Sequence, residues 1–400
     1  MGRVPKVTLH ELGLLKGAVR KQLKEAHAAG DAQAQARAEK LLTFMDKLVV
    51  HSPRSTRGGK GKTLSKIICS RVRLAWAGDW GALWREAAAA GANSPQGGGR
   101  SETLKEQARS VDAFIKDSLI GKAVARVVRN TPLATGVFDA LVDMFPTGDL
   151  PAARGVGPTS PEVREQLVAC ARKLLARWPS RAAPGPNGSR FEHWGAVTQD
   201  EDSWEAAAQV VVMFALGECS RDCLEANLGA RIFALRKPNG KLRPIACGSV
   251  LRRLAARTLC MHNKEDIRQA CGEYQFAVGR HAGCELVHKT TSALTCASPQ
   301  DVVLKFDCSN AFNTMPRQLI LDAVQQRAPG LMPTVMAWLS QRTTHFYWGE
   351  GRTASPIHAT RGVDQGCPLS PALFAIGLAA ALAFIQSSLA TLAPSRSVFS

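Results

Sequence analysis

Apolar positions recur at helical spacing along most of this chain. Leu9, Leu12, Val19 and Leu23 follow the capping-box pattern Thr8-Leu-His-Glu11, and Gly30 stops the helix they predict. Residues 31–50 read as a second helix with Leu41, Met45 and Leu48 on one face, and 79–91 as a short third. Further helices are predicted over 102–128 and 133–144. Ser160 as N-cap and Pro161 at the first helical position open another, ending near Trp178. Helices over 203–228, over 316–328 behind Pro316, and over 371–392 complete the set.

Strand texture appears in the second half of the chain. RIFALRK and KLRPIAC flank Pro238-Asn239-Gly240, and Asn-Gly between two such runs is a strong hairpin signal. Residues 301–307 read as a single apolar strand, and FYWGEG with SPIHATR as a second hairpin. The class this predicts is α+β, with helices on one side of a small antiparallel sheet. Three regions follow: a mostly helical, basic region over 1–150 without an assignable motif, a region over 151–300 holding the basic hairpin 231–247, and a region over 301–400.

Charge changes the picture more than size does. The 400 residues, 45% hydrophobic, can bury a full core. Lys and Arg number 51 against 33 Asp and Glu, a formal charge of +18. Such an excess is awkward for a small-molecule enzyme and suits a protein that grips a phosphate backbone; a solvated basic surface is the plainer alternative. The first hundred residues hold 18 basic and 7 acidic side chains. Residues 51–78 carry Arg54, Arg57, Lys60, Lys62, Lys66, Arg71 and Arg73 without an acid. They read as a nucleic-acid-contacting segment or as a flexible basic linker. RGGKGKT at 57–63 echoes a phosphate loop, but Thr56 stands where its first Gly belongs.

Eleven cysteines are scattered singly, and Cys219 with Cys223 has neither His-x-His nor a second Cys pair nearby to complete a zinc site. The pattern suggests free thiols in a reducing compartment. The sequence opens without a signal-peptide pattern, and the apolar run 372–385 is short for a membrane span, so a soluble intracellular protein with a buried helix there is expected.

Two stretches concentrate the chemistry. DVVLKFDCSNAF at 301–312 delivers Asp307 at the end of its predicted strand, and QGCPLSPALF at 365–374 is a Gly-Pro turn feeding an apolar helix. Together they resemble the two central palm motifs of reverse transcriptases, in particular those of non-LTR retrotransposons. Upstream, LRKPNGKLRPI resembles the family's fingers hairpin, APGPNGSRFEHW its Pro-Gly-Pro-Asp-Gly turn with Asn187 for Asp, and YQFAVGRHAGCE a Gln-x-Gly-Val…Gly-Gly segment with Ala277 and Ala282 for two glycines. GSVLRRLAARTL follows the hairpin in the family's order. Group II intron maturases and viral RNA-dependent RNA polymerases resemble these blocks less well.

The resemblance implies a right-hand polymerase: fingers, then a partial palm, behind a helical basic N-terminal region. It implies that Asp307 and the backbone carbonyl of Cys308 bind Mg²⁺ or Mn²⁺, with Asp307 catalytic. Lys237 and Arg243 would contact the triphosphate, Phe312 would lie under the sugar and exclude a 2′-hydroxyl, and Gln365 and Gly366 would line the nucleotide pocket. The implied partners are an RNA template, a DNA primer and deoxynucleoside triphosphates, with no membrane; nuclear action is expected. The family's third palm motif, an aromatic-x-Asp-Asp turn, does not occur in these 400 residues. The chain therefore reads as ending before that motif and as inactive by itself. A non-catalytic nucleic-acid-binding remnant or truncated product is the alternative.

Overall fold

The computed structural model describes residues 6–50, 61–92, 108, 111–112, 134, 136–177, 182–297, 303, 305–349 and 353–392. Helices α1 (Lys6–Ala28), α2 (Ala32–Val49), α3 (Gly61–Trp76) and α4 (Trp80–Ala92) open the chain. Asp31 caps α2 by accepting from the N–H groups of Gln33 and Ala34, and Gly30 turns at φ +69° between α1 and α2. Thr8 does not start a helix: it lies buried inside α1, which extends back to Lys6. The helix predicted over 102–128 lies outside the described residues apart from Ala108, Val111 and Asp112, which are helical. That over 133–144 is a shorter helix, α5 (Phe138–Asp143).

Next come α6 (Pro161–Ala176), capped by Ser160, then α7 (Phe191–Gly195), α8 (Glu201–Leu216) and α9 (Arg221–Leu228). The single helix expected over 203–228 is broken. Gly217 adopts φ +75° at the end of α8, a left-handed cap, and Ser220 starts α9 afresh by accepting from the Cys223 N–H. From Ala206 to Leu216, α8 buries every residue but Gln209, so it is a central core helix. Helices α1 and α2 share its core: Leu23 and Ala38 belong to the same apolar cluster as Val211 and Phe214. Gly17 permits that approach, since a Cβ there would stand 1.9 Å from Ser203 Oγ. Between α1 and α2 the Lys16 ammonium meets the buried Asp46 carboxylate at 2.5 Å.

The hairpin forms as its Asn-Gly turn predicts, with β1 (Ala230–Arg236) paired antiparallel to β2 (Leu242–Gly248). Strands β3 (Thr343–Tyr347) and β4 (Ser355–Ala359) form the second hairpin. The sheet order is β2-β1-β3-β4, and β1 runs parallel to β3, so the sheet is mixed and not purely antiparallel. Two causes act. The long helical connection from β2 to β3 serves as a crossover, which parallel pairing requires. Gly229 also lets the backbones close up, for a Cβ there would lie 2.5 Å from the Thr344 carbonyl oxygen. One face of the sheet, including Ile232, Ala234, Ala246 and Ile357, is buried under Ala134, Leu141 and Phe145. The α+β class stands, with a helical N-terminal region.

The crossover comprises α10 (Val250–His262), α11 (Lys264–Ala270), α12 (Gly283–Ala297), α13 (Ala311–Thr314), α14 (Arg317–Arg327) and α15 (Met332–Leu339). The strand expected over 301–307 is not formed among its described residues: Val303 and 305–307 are irregular, and Phe306 is 87% exposed. A lone apolar strand needs a hydrogen-bonded neighbour, and the described sheet offers none here. After β4, the last described helix α16 (Ser370–Leu392) is long and apolar enough to cross a membrane by composition. Ala372, Leu373, Ala375, Ile376 and Ala379 are buried in protein, while Phe384 and Ile385 are exposed.

Candidate nucleotide-binding site

The basic hairpin is held open by its own turn. Gly240 takes φ +79°, and the Lys237 and Lys241 backbones pair across it at 2.8 Å. Lys237, Arg236 and Arg243 line one open cleft of about 360 Å³ with Leu235, Pro238 and Asn239. The structure thus brings together the two cations assigned to phosphate, and Arg243 is exposed to solvent. A guanidinium and an ammonium in one cleft suit a polyphosphate, which takes bidentate bonds from the first and a point charge from the second.

The Gln365-Gly366 turn lies against the same strand. The Ala246 N–H donates to the Gln365 carbonyl at 2.7 Å, three residues along β2 from Arg243. Gly366 stands at φ +125°, and a Cβ there would meet the Ala246 carbonyl oxygen at 2.5 Å. Only glycine permits this contact.

Behind the turn lies a buried charge cluster with no sequence motif. Asp364 accepts from Arg252 Nη1 at 2.5 Å, and its other oxygen lies 3.2 Å from His345 Nε2. The Ala230 N–H donates to His345 Nδ1 at 3.2 Å, so a neutral ring carries its proton on Nε2, facing the carboxylate. Burial by itself would raise the Asp364 carboxyl, but His345 and Arg252 outweigh it and hold the group well below the carboxylate range. Arg252 also donates to the Leu228 carbonyl at 2.5 Å. Nearby, buried Arg317 reaches the carbonyls of Gly362, Leu339 and Gln341 and the Thr343 hydroxyl. Its desolvation lowers the guanidinium pKa to about 10. Asp364 immediately precedes Gln365, so this cluster positions the turn. Sequence reading missed it because Asp364, His345 and Arg252 come from three elements; a carboxylate directly before the Gln-Gly turn was the one available signal.

Asp307 and Cys308 are exposed on the segment entering α13. That segment is anchored at its far end. Asn310, at φ +51°, and Asn313 both donate side-chain amides to the Met144 carbonyl, at 2.6 and 3.0 Å. The Val363 N–H donates to the Phe312 carbonyl at 2.7 Å. The Phe312 ring stacks on Phe374 with centroids 4.9 Å apart and planes 11° from parallel. The two motifs therefore touch through Phe312, at Val363 and at Phe374.

The basic segment divides differently. Arg54, Arg57 and Lys60 lie outside the described residues, and Lys62 is described only in its helical backbone. Lys66 and Arg73 are exposed on α3. Arg71 faces inward and is 2% exposed: it bonds Glu86 at 2.6 and 3.0 Å and the Val49 carbonyl at 3.3 Å. It is a packing arginine between α2, α3 and α4, not a phosphate contact. On an amphipathic helix a long cation can cross the apolar stripe when a carboxylate waits beyond it.

Residues 235–393 match the family described as reverse transcriptase (RNA-dependent DNA polymerase). Over 240 residues the chain is 28% identical to the retrotransposable element SLACS 132 kDa protein of Trypanosoma brucei gambiense, covering 60% of this chain and 20% of that protein. The chain spans about a fifth of the length of this curated relative. The hairpin from Leu235 onward, the Gln365-Gly366 turn and the Phe312 segment lie within these matched residues, so over 235–393 the chain is similar to reverse transcriptases.

Proposed function

We propose that this chain forms fingers and palm elements of a reverse transcriptase, and that it holds a deoxynucleoside triphosphate between the β1–β2 hairpin and the Gln365-Gly366 turn. The observation that carries this reading is the hydrogen bond from Ala246 to Gln365, which puts the basic strand and the turn in contact. Lys237 and Arg243 bind the phosphates. Phe312, braced by Phe374, lies beneath the sugar, where its ring leaves no room for a 2′-hydroxyl. Template RNA and DNA primer lie along the basic surface, to which Lys66 and Arg73 contribute.

Asp307 and the Cys308 carbonyl offer the hard oxygen donors that Mg²⁺ or Mn²⁺ takes, and their exposure leaves room for the waters and phosphate oxygens Mg²⁺ retains. Bound there, the ion would offset charge on the reacting phosphate. No aromatic-x-Asp-Asp occurs within the 400 residues, so Asp307 is the one carboxylate they assign to this ion. A polypeptide of these residues alone accordingly binds primer–template and nucleotide without extending the primer.

The test uses fluorescence anisotropy of a labelled DNA primer on an RNA template, with an extension gel alongside. Binding that weakens steeply with salt and survives Asp307→Ala is the expected result. Primer extension by the purified polypeptide with Mg²⁺ would overturn the catalytic part of the reading. Binding insensitive to salt would overturn the rest.

A further inference from the structure

We propose that Glu39, Cys219 and Cys223 form a zinc site that clamps α2 to the corner between α8 and α9. The Glu39 carboxylate and the two Sγ atoms all lie within 4.8 Å of one another. A tetrahedral zinc with ordinary bond lengths sets sulfurs about 3.8 Å apart and sulfur to oxygen about 3.6 Å. A small inward shift of side chains meets that requirement. Two thiolates and a carboxylate match zinc and mismatch Mg²⁺, which prefers oxygen donors throughout.

Each ligand is delivered by a distinct local device. Gly217 breaks α8 and releases Cys219 onto the connecting turn. Ser220 caps α9 and sets Cys223 in its first turn. Glu39 comes from the middle of α2 and accepts from the Ser220 N–H at 3.1 Å, from the Ser220 hydroxyl, and from Gln35 Nε2 at 2.9 Å. Those bonds orient the carboxylate toward the corner without neutralising it.

A second, independent observation points to a cation. The buried carboxylates among the described residues are Glu39, Asp46 and Asp364. Asp46 is paired with Lys16 and Asp364 with Arg252. Glu39, 2% exposed, has only neutral partners and two thiols beside it among the described residues. A buried unpaired carboxylate is costly, and a divalent ion would supply the missing charge.

The surroundings agree. Glu218, next in chain to Cys219, is already engaged by Arg164 and lies 3.8 Å from His27, so it is not the fourth ligand. That position falls to water, which Cys219, only partly buried, can admit. The Cys219 thiol is pushed up by its hydrogen bond to Cys223, then by burial and by the charges of Cys223, Glu39 and Glu218. Zinc reverses that balance. Each thiol gives its proton to solvent as its sulfur binds the metal, so affinity rises with pH. The third ligand lies far upstream, which is why the Cys219–Cys223 spacing fails as a zinc motif when read along the chain.

The test is a titration of the reduced 400-residue chain with Co²⁺ followed by Zn²⁺. Mass spectrometry of cysteine alkylation accompanies it, with and without Zn²⁺. The expected result is a thiolate-to-cobalt charge-transfer band that Zn²⁺ abolishes, with Cys219 and Cys223 protected and the exposed Cys284 alkylated in both samples. Cys219→Ser and Glu39→Gln should each weaken Zn²⁺ binding more than about 10-fold, since even residues outside the ligand set cost that much. Cys284→Ser should leave binding unchanged. Equal alkylation of Cys219 with and without Zn²⁺ would overturn the site, as would affinity unaffected by Glu39→Gln. Should Cys219→Ser misfold, the alkylation of the unaltered chain still decides.

Discussion

The Ala246 N–H donates to the Gln365 carbonyl at 2.7 Å, tying the Gln365-Gly366 turn to the basic hairpin. Two motifs far apart in sequence are thus joined backbone to backbone. A displacement of β2 is transmitted to Gln365 without any side chain in between, and what protects this bond protects the geometry of the site.

Gly366→Ala tests that link. The backbone at φ +125° disfavours any side chain, at about 1–3 kcal/mol, and the new methyl would press on the Ala246 carbonyl oxygen. A lower midpoint in urea is expected, together with faster exchange of the Ala246 amide. An unchanged exchange rate would separate the turn from the hairpin.

Asp364 and Asp46 set the acid limit. Burial raises both carboxyls, but His345 and Arg252 around one and Lys16 and His193 around the other pull them below their unfolded values. Their contribution is present in full above the unfolded pKa and fades as pH falls towards the folded one. Stability should therefore decline below about pH 5. Asp364→Asn should lower stability at neutral pH and flatten that decline, by denaturant unfolding at several pH values. An unaltered slope would show that Asp364 is not the titrating group.

What sequence revealed and what it hid divide along physical lines. The hairpin was legible because Asn239-Gly240 fixes a turn chemically, and the helix start at Ser160 because a cap is local. The pairing of β1 with β3 was hidden, since it rests on Gly229 meeting Thr344 across the crossover. Arg71 was misread because its charge is visible in sequence and its burial is not. Arg243, Phe312 and Gln365 were singled out through motifs, whereas Asp364, His345 and Arg252 interact only after folding.

Arg71 and Lys66 should behave oppositely. Arg71→Ala removes bonds to a charged partner from a buried position, a loss of about 1.5–3 kcal/mol. Nucleic-acid affinity of the folded fraction should not change. Lys66→Ala should leave the unfolding midpoint in place and reduce the salt slope of binding by about 1. Thermal unfolding and salt-dependent anisotropy on both variants check the pair, and a weakened salt slope in Arg71→Ala would return that residue to the interface.

Phe312 packs on Phe374, and two substitutions separate that packing from the sugar selection proposed for it. Its ring is half-buried and stacked on Phe374, so Phe312→Ala should cost about 2–4 kcal/mol from lost contact and the space left behind. Phe312→Val keeps part of the apolar contact while opening the volume where a 2′-hydroxyl would sit. Competition between a deoxynucleotide and its ribonucleotide for the polypeptide should favour the deoxy form in the natural chain and approach parity in Phe312→Val. Anisotropy of a fluorescent nucleotide triphosphate reads that ratio without requiring catalysis. If the ratio stays fixed while stability falls, Phe312 is a core residue beneath the motif, and sugar selection lies elsewhere.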